Sequence, residues 1–407
     1  MTTPRVALIG ANGHGRWHRR RLAPRHASGA LAFVGIAEPN PLDPDPPLPP
    51  ETRVFTDHRA LLAETRPDVV VISTPPATHL PIALDAVAAG CDLLLEKPPL
   101  LTLADHASLL AALTEAGRSC QVGFQALASA AFDELCAAGA LGTVTGIAAV
   151  ASWQRDDAYY ARSPWAGRRA VDGALVNPLG HAVMQSLALA DRLCSASTYA
   201  SPGRPGDAYI DAEQSLAKSV VGRVEVERYR TRPIESDDTA VLRLTADGRP
   251  PVVVAVTVAG EEFIPGEITV TGTRGSATLE YTTDRLRLPG DAGLREVPGR
   301  VDLLDNLLAH RADRAGVPLR AALSATAGFT AVVETLGSAP MPTLLGDELV
   351  ADVGDGPHRI RSIRGINDVL RRAAEGLALP SELGVPWARP PHTENRLQTT
   401  GSVTAQK

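Results

Sequence analysis

Along the first 125 residues, short apolar runs alternate with stretches whose apolar positions recur at helical spacing, the rhythm of a parallel sheet wound with helices. Strands are predicted at Val6–Ile9, Phe33–Ala37, Arg53–Phe55, Val69–Ile72, Leu93–Leu95 and Gln121–Phe124. Helical patterns fill most gaps, at Trp17–Ala27, His58–Thr65, Thr78–Ala89 and Leu103–Ala116, the last two stopped by Gly90 and Gly117. Seven prolines between Pro39 and Pro50 exclude a helix there, so a stiff irregular loop joins the second and third strands.

After Phe124 the pattern changes. A helix is expected over Ala128–Ala138, then long β-rich runs at Thr143–Trp153, Ser219–Tyr229, Ala240–Thr245, Pro251–Ala259, Glu267–Thr273 and Ser276–Thr282, several joined by Asp247-Gly248 and Arg274-Gly275 turns. Helical patterns return at Asp302–Ala315, Leu319–Ser338 and Ile363–Gly376. The fold class this defines is α/β plus α+β: an N-terminal doubly wound parallel sheet of the Rossmann type, then a second domain with a large, mainly antiparallel open sheet. Domain boundaries are expected at 1–125 and 126–388, with a disordered tail over 389–407, where the chain is polar and unpatterned.

Composition narrows the function. The 407 residues are 44% apolar and carry 46 acidic against 40 basic side chains, a mild acidity that argues against nucleic acid as the main partner. No run of about 18 uninterrupted apolar residues exists to span a membrane. Arg19-Arg20-Arg21 before an apolar stretch imitates a twin-arginine leader, but a strand already begins upstream at Arg5, so that reading is rejected. Cys91, Cys120, Cys136 and Cys194 show no pairing or Cys/His spacing that would seat zinc; they read as reduced thiols of a cytoplasmic protein, with no metal expected. Only three of the basic residues are lysines, Lys97, Lys218 and Lys407, so a retained lysine invites a reason: unlike arginine, it can be tuned to exchange a proton.

Candidate chemistry sits at the carboxyl edge of the first sheet. Gly10-Ala11-Asn12-Gly13-His14-Gly15 follows the first strand and leads into a helix, where glycines let the backbone approach a pyrophosphate that the helix N-terminus stabilises. Asn12 replaces a glycine of the usual G-x-G-x-x-G, and Asn tolerates a left-handed turn. Glu38 ends the second strand, where a carboxylate accepts from ribose hydroxyls and favours NAD over NADP. The fifth strand runs into Glu96-Lys97-Pro98-Pro99, placing Lys97 where it could exchange a proton with a substrate hydroxyl. Asn177 before Pro178 reads as a helix N-cap, putting His181 in a first turn whose positive end keeps the imidazole neutral. Trp153, Tyr159, Tyr160 and Trp165, interleaved with charges, could stack on a sugar ring, with Trp153 and Trp165 the substrate-binding candidates.

On these residues the chain resembles the glucose-fructose oxidoreductase, inositol dehydrogenase and rhizopine-catabolism (Gfo/Idh/MocA) family over roughly residues 4 to 340: the Gly-rich loop, Glu96-Lys97-Pro98, and Asn177 with His181. The resemblance implies that Thr74, Pro75, His79 and Glu96 line the dinucleotide and that the Lys97–Pro98 peptide is cis. It further implies that the second sheet supports a polyol or sugar and that the protein is a homodimer or homotetramer. Where the family carries aspartate four residues before the histidine, this chain has Asn177, which cannot accept a proton. The implied activity is hydride transfer between nicotinamide and a secondary alcohol of a cyclitol, sugar or sugar derivative, with Lys97, His181 and Asn177 at the reacting centre. Two alternatives remain: an NAD-dependent glycoside hydrolase working through transient oxidation, and a non-catalytic dinucleotide-binding sensor.

Overall fold

A computed structural model describes residues 2–169, 171–195 and 221–396, without the side chains of 194 and 195. The chain divides into two units, the first of which holds residues 2–125 and 301–330. Its six parallel strands are β1 (Arg5–Ile9), β2 (Ala32–Ala37), β3 (Arg53–Phe55), β4 (Val69–Ile72), β5 (Asp92–Leu95) and β6 (Cys120–Val122), in the order β3-β2-β1-β4-β5-β6. Four helices, α1 (Gly15–Ala27), α2 (His58–Thr65), α3 (His79–Ala88) and α4 (Leu103–Ala116), make the crossovers. Val69 to Ile72 are all fully buried, which is why β4 reads as an unbroken apolar run: a central parallel strand is covered on both faces. Strand order reverses between β1 and β4, so the carboxyl ends of these two strands frame the crevice where such sheets take ligands.

In the second unit come α5 (Ala130–Ala137), β7 (Val144–Gln154), α6 (Asp157–Ala161), α7 (Gly180–Ser195), β8 (Arg223–Arg230), β9 (Thr239–Thr245), β10 (Val252–Thr257), β11 (Ala259–Gly272), β12 (Gly275–Glu280), β13 (Arg285–Arg287) and β14 (Arg295–Glu296). The expected strand Ser219–Tyr229 is therefore β8, its residues 219 and 220 lying outside the described residues. These strands form one sheet, in the order β14-β13-β12-β11-β7-β10-β9-β8, antiparallel except where β7 and β10 run parallel. Val253 and Ala255 point to one face and Val252, Val254 and Val256 to the other, yet all are buried, so both faces of the sheet centre are covered.

Two domain expectations need correction. The span 126–388 is not one domain, because α8 (Leu303–Ala312) and the residues through 330 belong to the first unit. Polar side chains fasten this returning segment there. Buried Gln121 donates from Nε2 to Asn306 Oδ1 at 2.7 Å and accepts from the Ala321 N–H at 3.0 Å, while Arg311 and Arg314 meet the fully buried Asp92 at 2.7 and 2.9 Å. The helix expected from Leu319 begins only at Ala327, as α9 (Ala327–Ser338), after a 3₁₀ turn over Leu323–Thr326.

The expected tail from 389 also has structure. After β15 (Thr343–Leu344), the hairpin β16 (Val350–Val353) and β17 (Ile360–Ile363), and α10 (Ile366–Gly376), the chain forms β18 (His392–Asn395), which pairs antiparallel with β8; residues 397–407 lie outside the described residues. In β18 the backbone supplies the ladder, so a polar sequence suffices. Helix α10 is strongly amphipathic: Ile366, Val369, Leu370 and Ala373 recur at helical spacing and are buried against Val150, Val241, Val253, Ala255 and Ile264 of the sheet. At about 1.5–3 kcal/mol for each large apolar side chain buried, this face anchors the C-terminal segment.

Candidate active site

Strand β1 ends at Ile9, and the chain turns into α1 through Gly10 (φ +82°) and Gly13 (φ +53°), both in the left-handed region. A Cβ on Gly10 would lie 2.6 Å from the Ser73 carbonyl oxygen, so the end of β4 packs directly on the loop. At Gly13 nothing lies within 4 Å of where a Cβ would be; the loop is open on that side, as the close approach of a diphosphate requires. The residues present therefore fit a dinucleotide. Asn12, expected to tolerate a left-handed turn, is not left-handed: the glycines on either side take both positive φ values. Its side chain has a different task, donating from Nδ2 to Pro41 O at 3.1 Å and accepting the Asp43 N–H at 2.9 Å through Oδ1.

That bond belongs to a strap holding the proline-rich loop over α1. Arg16 pairs with Asp43 and Asp45 at 3.0 and 3.2 Å, Arg20 with Asp45 at 2.6 Å, and buried Arg19 donates to the carbonyls of Asp43 and Pro46. Arg21 meets Asp302, at the start of α8. The arginine run that imitates a leader is thus consumed by structure. Glu38 is 7% exposed; its Oε2 accepts the N–H groups of Ala11 and Asn12 at 3.0 and 3.1 Å, and its Oε1 accepts from Asn40. It ties β2 to the Gly-rich loop, while Asp43 and Asp45 nearby are matched by the guanidiniums of Arg16 and Arg20.

At the end of β5, Glu96 and Lys97 are half-buried and the Lys97–Pro98 peptide is cis, as the family resemblance implies. Glu96 packs where Gly123 leaves room: a Cβ there would stand 2.7 Å from Glu96 Oε2, which accepts the Lys97 N–H at 3.2 Å. Its Oε1 lies 2.9 Å from His18 Nε2 and 3.3 Å from His14 Nε2. Burial pushes the Glu96 carboxyl up, but the bonds and charges of His14 and His18 outweigh it and hold it well below the usual carboxylate range. His79, expected to line the dinucleotide, is 1% exposed. Its Nδ1 is 3.0 Å from both Pro98 O and Pro99 O, and its Nε2 is 2.9 Å from Thr74 O, so it stands beneath the site and joins the loop after β4 to the loop that carries Lys97. Burial lowers its pKa, against the opposing pull of the carbonyl oxygens of Pro99, Thr74 and Pro98. Thr74 is half-buried and accepts the Thr78 hydroxyl at 2.8 Å, while Pro75 is exposed at the crevice.

In the second unit, α7 starts at Gly180, not at Pro178. Asn177 is therefore no N-cap. It sits in the preceding turn, its N–H donating to Gly173 O at 3.0 Å and its Nδ2 to Asp172 Oδ1 at 3.1 Å. His181 remains in the first turn of α7, half-buried. Asp172, which the motif comparison passed over, is 3% exposed, accepts the Gly167 N–H at 2.8 Å, and places a carboxylate one hydrogen bond from Asn177. Asp237 accepts the Ala174 N–H at 2.9 Å and pins the other side of the turn. The aromatic residues form a cation–π ladder: Arg155 lies over Trp153 and Tyr159 at 5.2 and 5.0 Å, and Arg162 over Tyr159 and Trp165 at 3.5 and 4.8 Å. The Trp153 indole N–H donates to Pro265 O at 3.3 Å, which fixes that ring to β11.

A Gly-rich turn, a strand-end carboxylate and a lysine at the carboxyl edge of a doubly wound sheet define a dinucleotide-binding architecture. Residues 4–124 match the Gfo/Idh/MocA family model, described as oxidoreductase family, NAD-binding Rossmann fold. It is 35% identical over 127 residues to an inositol 2-dehydrogenase of Acidiphilium cryptum and 35% over 153 residues to inositol 2-dehydrogenase 4 of Saccharopolyspora erythraea. These matches cover 30% and 34% of this chain and only 37% and 42% of the relatives, so the chain spans well under half of their length. The fold of most of the chain is shared with the WlbA dehydrogenase of Bordetella pertussis, solved with NADH and UDP-GlcNAcA (TM-score 0.63, 20% identity, 84% of this chain and all of that one). It is likewise shared with the aldose-aldose oxidoreductase of Caulobacter crescentus (TM-score 0.61, 19% identity, 83% and 97%).

Proposed function

We propose that this protein is an NAD-dependent dehydrogenase that oxidises a secondary alcohol of a cyclitol, sugar or sugar derivative, or reduces the corresponding ketone. The observation that carries the reading is the placement of Lys97, half-buried before a cis-proline at the carboxyl edge of the sheet, in the same unit as a Gly-rich loop open to a diphosphate. NAD, when bound through Gly10, Asn12, Gly13, His14, Gly15 and Glu38, supplies the hydride acceptor. Lys97 takes the hydroxyl proton as the carbinol carbon loses hydride and returns it in the reverse direction. His79 serves as a positioning residue, holding the Pro98-Pro99 backbone on which Lys97 depends.

From the second unit, His181 and Asn177 are proposed to orient the substrate hydroxyl, with the Asp172 carboxylate fixing the Asn177 amide. Trp165 is proposed to stack on a sugar ring; Trp153, tied to Pro265, is the weaker candidate. The departure of Asn12 from the usual glycine does not by itself favour the non-catalytic sensor, because that side chain has a structural task. A cytoplasmic location and a homodimer or homotetramer belong to the same proposal. Among the described residues no helix is long and apolar enough to cross a membrane. Because α10 covers the β7–β10 face, any assembly pairs through another surface, which light scattering with interface cross-linking tests.

The deciding experiment follows reduced-nicotinamide absorbance with NAD or NADP and a panel of inositols, sugars and sugar nucleotides. Turnover with one substrate class is expected, and Lys97→Met should lower it ~100- to 10,000-fold while leaving dinucleotide binding intact. Near-normal turnover in that variant would refute the role of Lys97; glycoside cleavage without accumulation of reduced nicotinamide would replace the reading with the hydrolase.

A further inference from the structure

His14 and His18 stand four residues apart at the start of α1, a spacing that puts two imidazoles on one helical face, and Glu96 reaches them from the end of β5. The Nε2 atoms of both rings converge on a single carboxylate oxygen, Glu96 Oε1, at 2.9 Å from His18 and 3.3 Å from His14, and all three donor atoms lie within 4.8 Å of one another. Donors each about 2.0–2.2 Å from a shared zinc ion stand about 3.3 Å apart in tetrahedral geometry, so two of the three separations are near the values an ion requires. The third closes through His14, whose side chain is 57% exposed, whereas those of His18 and Glu96 are 5% and 13% exposed.

The surroundings hold these ligands in place. The His14 ring stacks on Trp17 (5.5 Å, 12°), which also packs edge-on against His18 (4.9 Å, 85°). The Lys97 N–H donates to the other Glu96 oxygen and leaves Oε1 directed at the rings. Exposed His14 provides the entry path; buried His18 and half-buried Glu96 provide a site already built. Among the described residues no other three histidine, cysteine or acidic side chains are so disposed.

We propose that His14, His18 and Glu96 bind a divalent transition-metal ion of the zinc class. Two imidazoles and one carboxylate suit zinc, nickel or cobalt better than magnesium or calcium, which prefer oxygen donors. Three protein ligands leave a further coordination position for water or an anionic oxygen. The site does not depend on the hydride chemistry and is testable without dinucleotide or substrate.

Tag-free, metal-stripped protein is titrated with zinc against a chromophoric chelator, and thermal unfolding is recorded with and without the ion. One zinc per chain is expected, with a rise in the unfolding midpoint. Replacing exposed His14 (His14→Ala) should weaken zinc binding at least ~10-fold, since even the loss of an outer-shell partner costs that much. His14→Gln provides a second variant of similar bulk, and magnesium should not compete. Wild-type protein without a stoichiometric zinc site, or zinc affinity unchanged in both His14 variants, would overturn the proposal, whatever the outcome of the dehydrogenase assay.

Discussion

Restoring the usual glycine at position 12 should harm this protein. In Asn12→Gly the loop loses two hydrogen bonds, from Nδ2 to Pro41 O (3.1 Å) and from the Asp43 N–H to Oδ1 (2.9 Å). Each such bond has a net worth of about 0.5–1.5 kcal/mol, with the exposed bond to Pro41 at the low end. Glycine adds roughly 0.5–1 kcal/mol of backbone entropy, with no steric relief in return, because Asn12 does not occupy the left-handed region. The expected destabilisation of the first unit is therefore roughly 1.5–3 kcal/mol, a fall of several degrees in its unfolding midpoint. Hydrogen exchange localises the effect: the Asp43 amide should exchange faster in the variant, whereas amides in the centre of β4 should change only with global stability. Were glycine merely the better loop residue, the variant would match or exceed the wild type. An unaltered midpoint with Asp43 still protected would refute the strap and the account of Asn12 built on it.

Leu370 is fully buried in the face that α10 lays on the sheet, so Leu370→Ala should cost ~2–5 kcal/mol in the second unit, read by denaturant unfolding; a loss below the lower figure would mean that α10 packs loosely. His106, fully buried in α4, has its pKa pushed by burial from 6.5 down to about 4, so between these values the unfolded chain binds a proton that the folded chain refuses. Stability should accordingly decline as pH falls from 6.5 towards 4, by at most ~3 kcal/mol from this group, and His106→Gln should flatten that slope in acid-dependent unfolding; identical slopes would show that the ring is not held neutral.

The first unit was legible in sequence because its signals are local. The unbroken apolar run Val69–Ile72 and the cap-to-cap pattern of Leu103–Ala116 coincide with β4 and α4, since buried parallel strands and capped helices write their periods directly into the chain. What escaped are placements set by contacts distant in sequence. Residues 301–330 carry a helical pattern that says nothing about which unit it serves; Gln121 with Asn306 and Asp92 with Arg311 and Arg314 decide that, across roughly 180 to 220 positions. β18 escaped for another reason. A short edge strand held by backbone bonds to β8 needs no apolar alternation, and its polar residues read as tail.

At the candidate site, the same distinction separates residues whose positions could be read from those whose partners could not. Gly10, Glu38 and Lys97 lie directly at strand ends, so finding the strand locates the residue. Their bonding is a matter of convergence: Glu38 turns into the Gly-rich loop, His79 turns under Pro98 and Pro99, and Asp172 stands behind Asn177. The exchange of aspartate for asparagine at 177 looks like the loss of a carboxylate when residues are compared one position at a time. In the folded turn, a buried carboxylate lies 3.1 Å from that amide, so a carboxylate is still present, one hydrogen bond behind position 177. His14 shows the converse. Its four-residue spacing from His18 is visible in the sequence, but the third donor, Glu96, arrives from 78 residues beyond His18, and only the fold brings the three together.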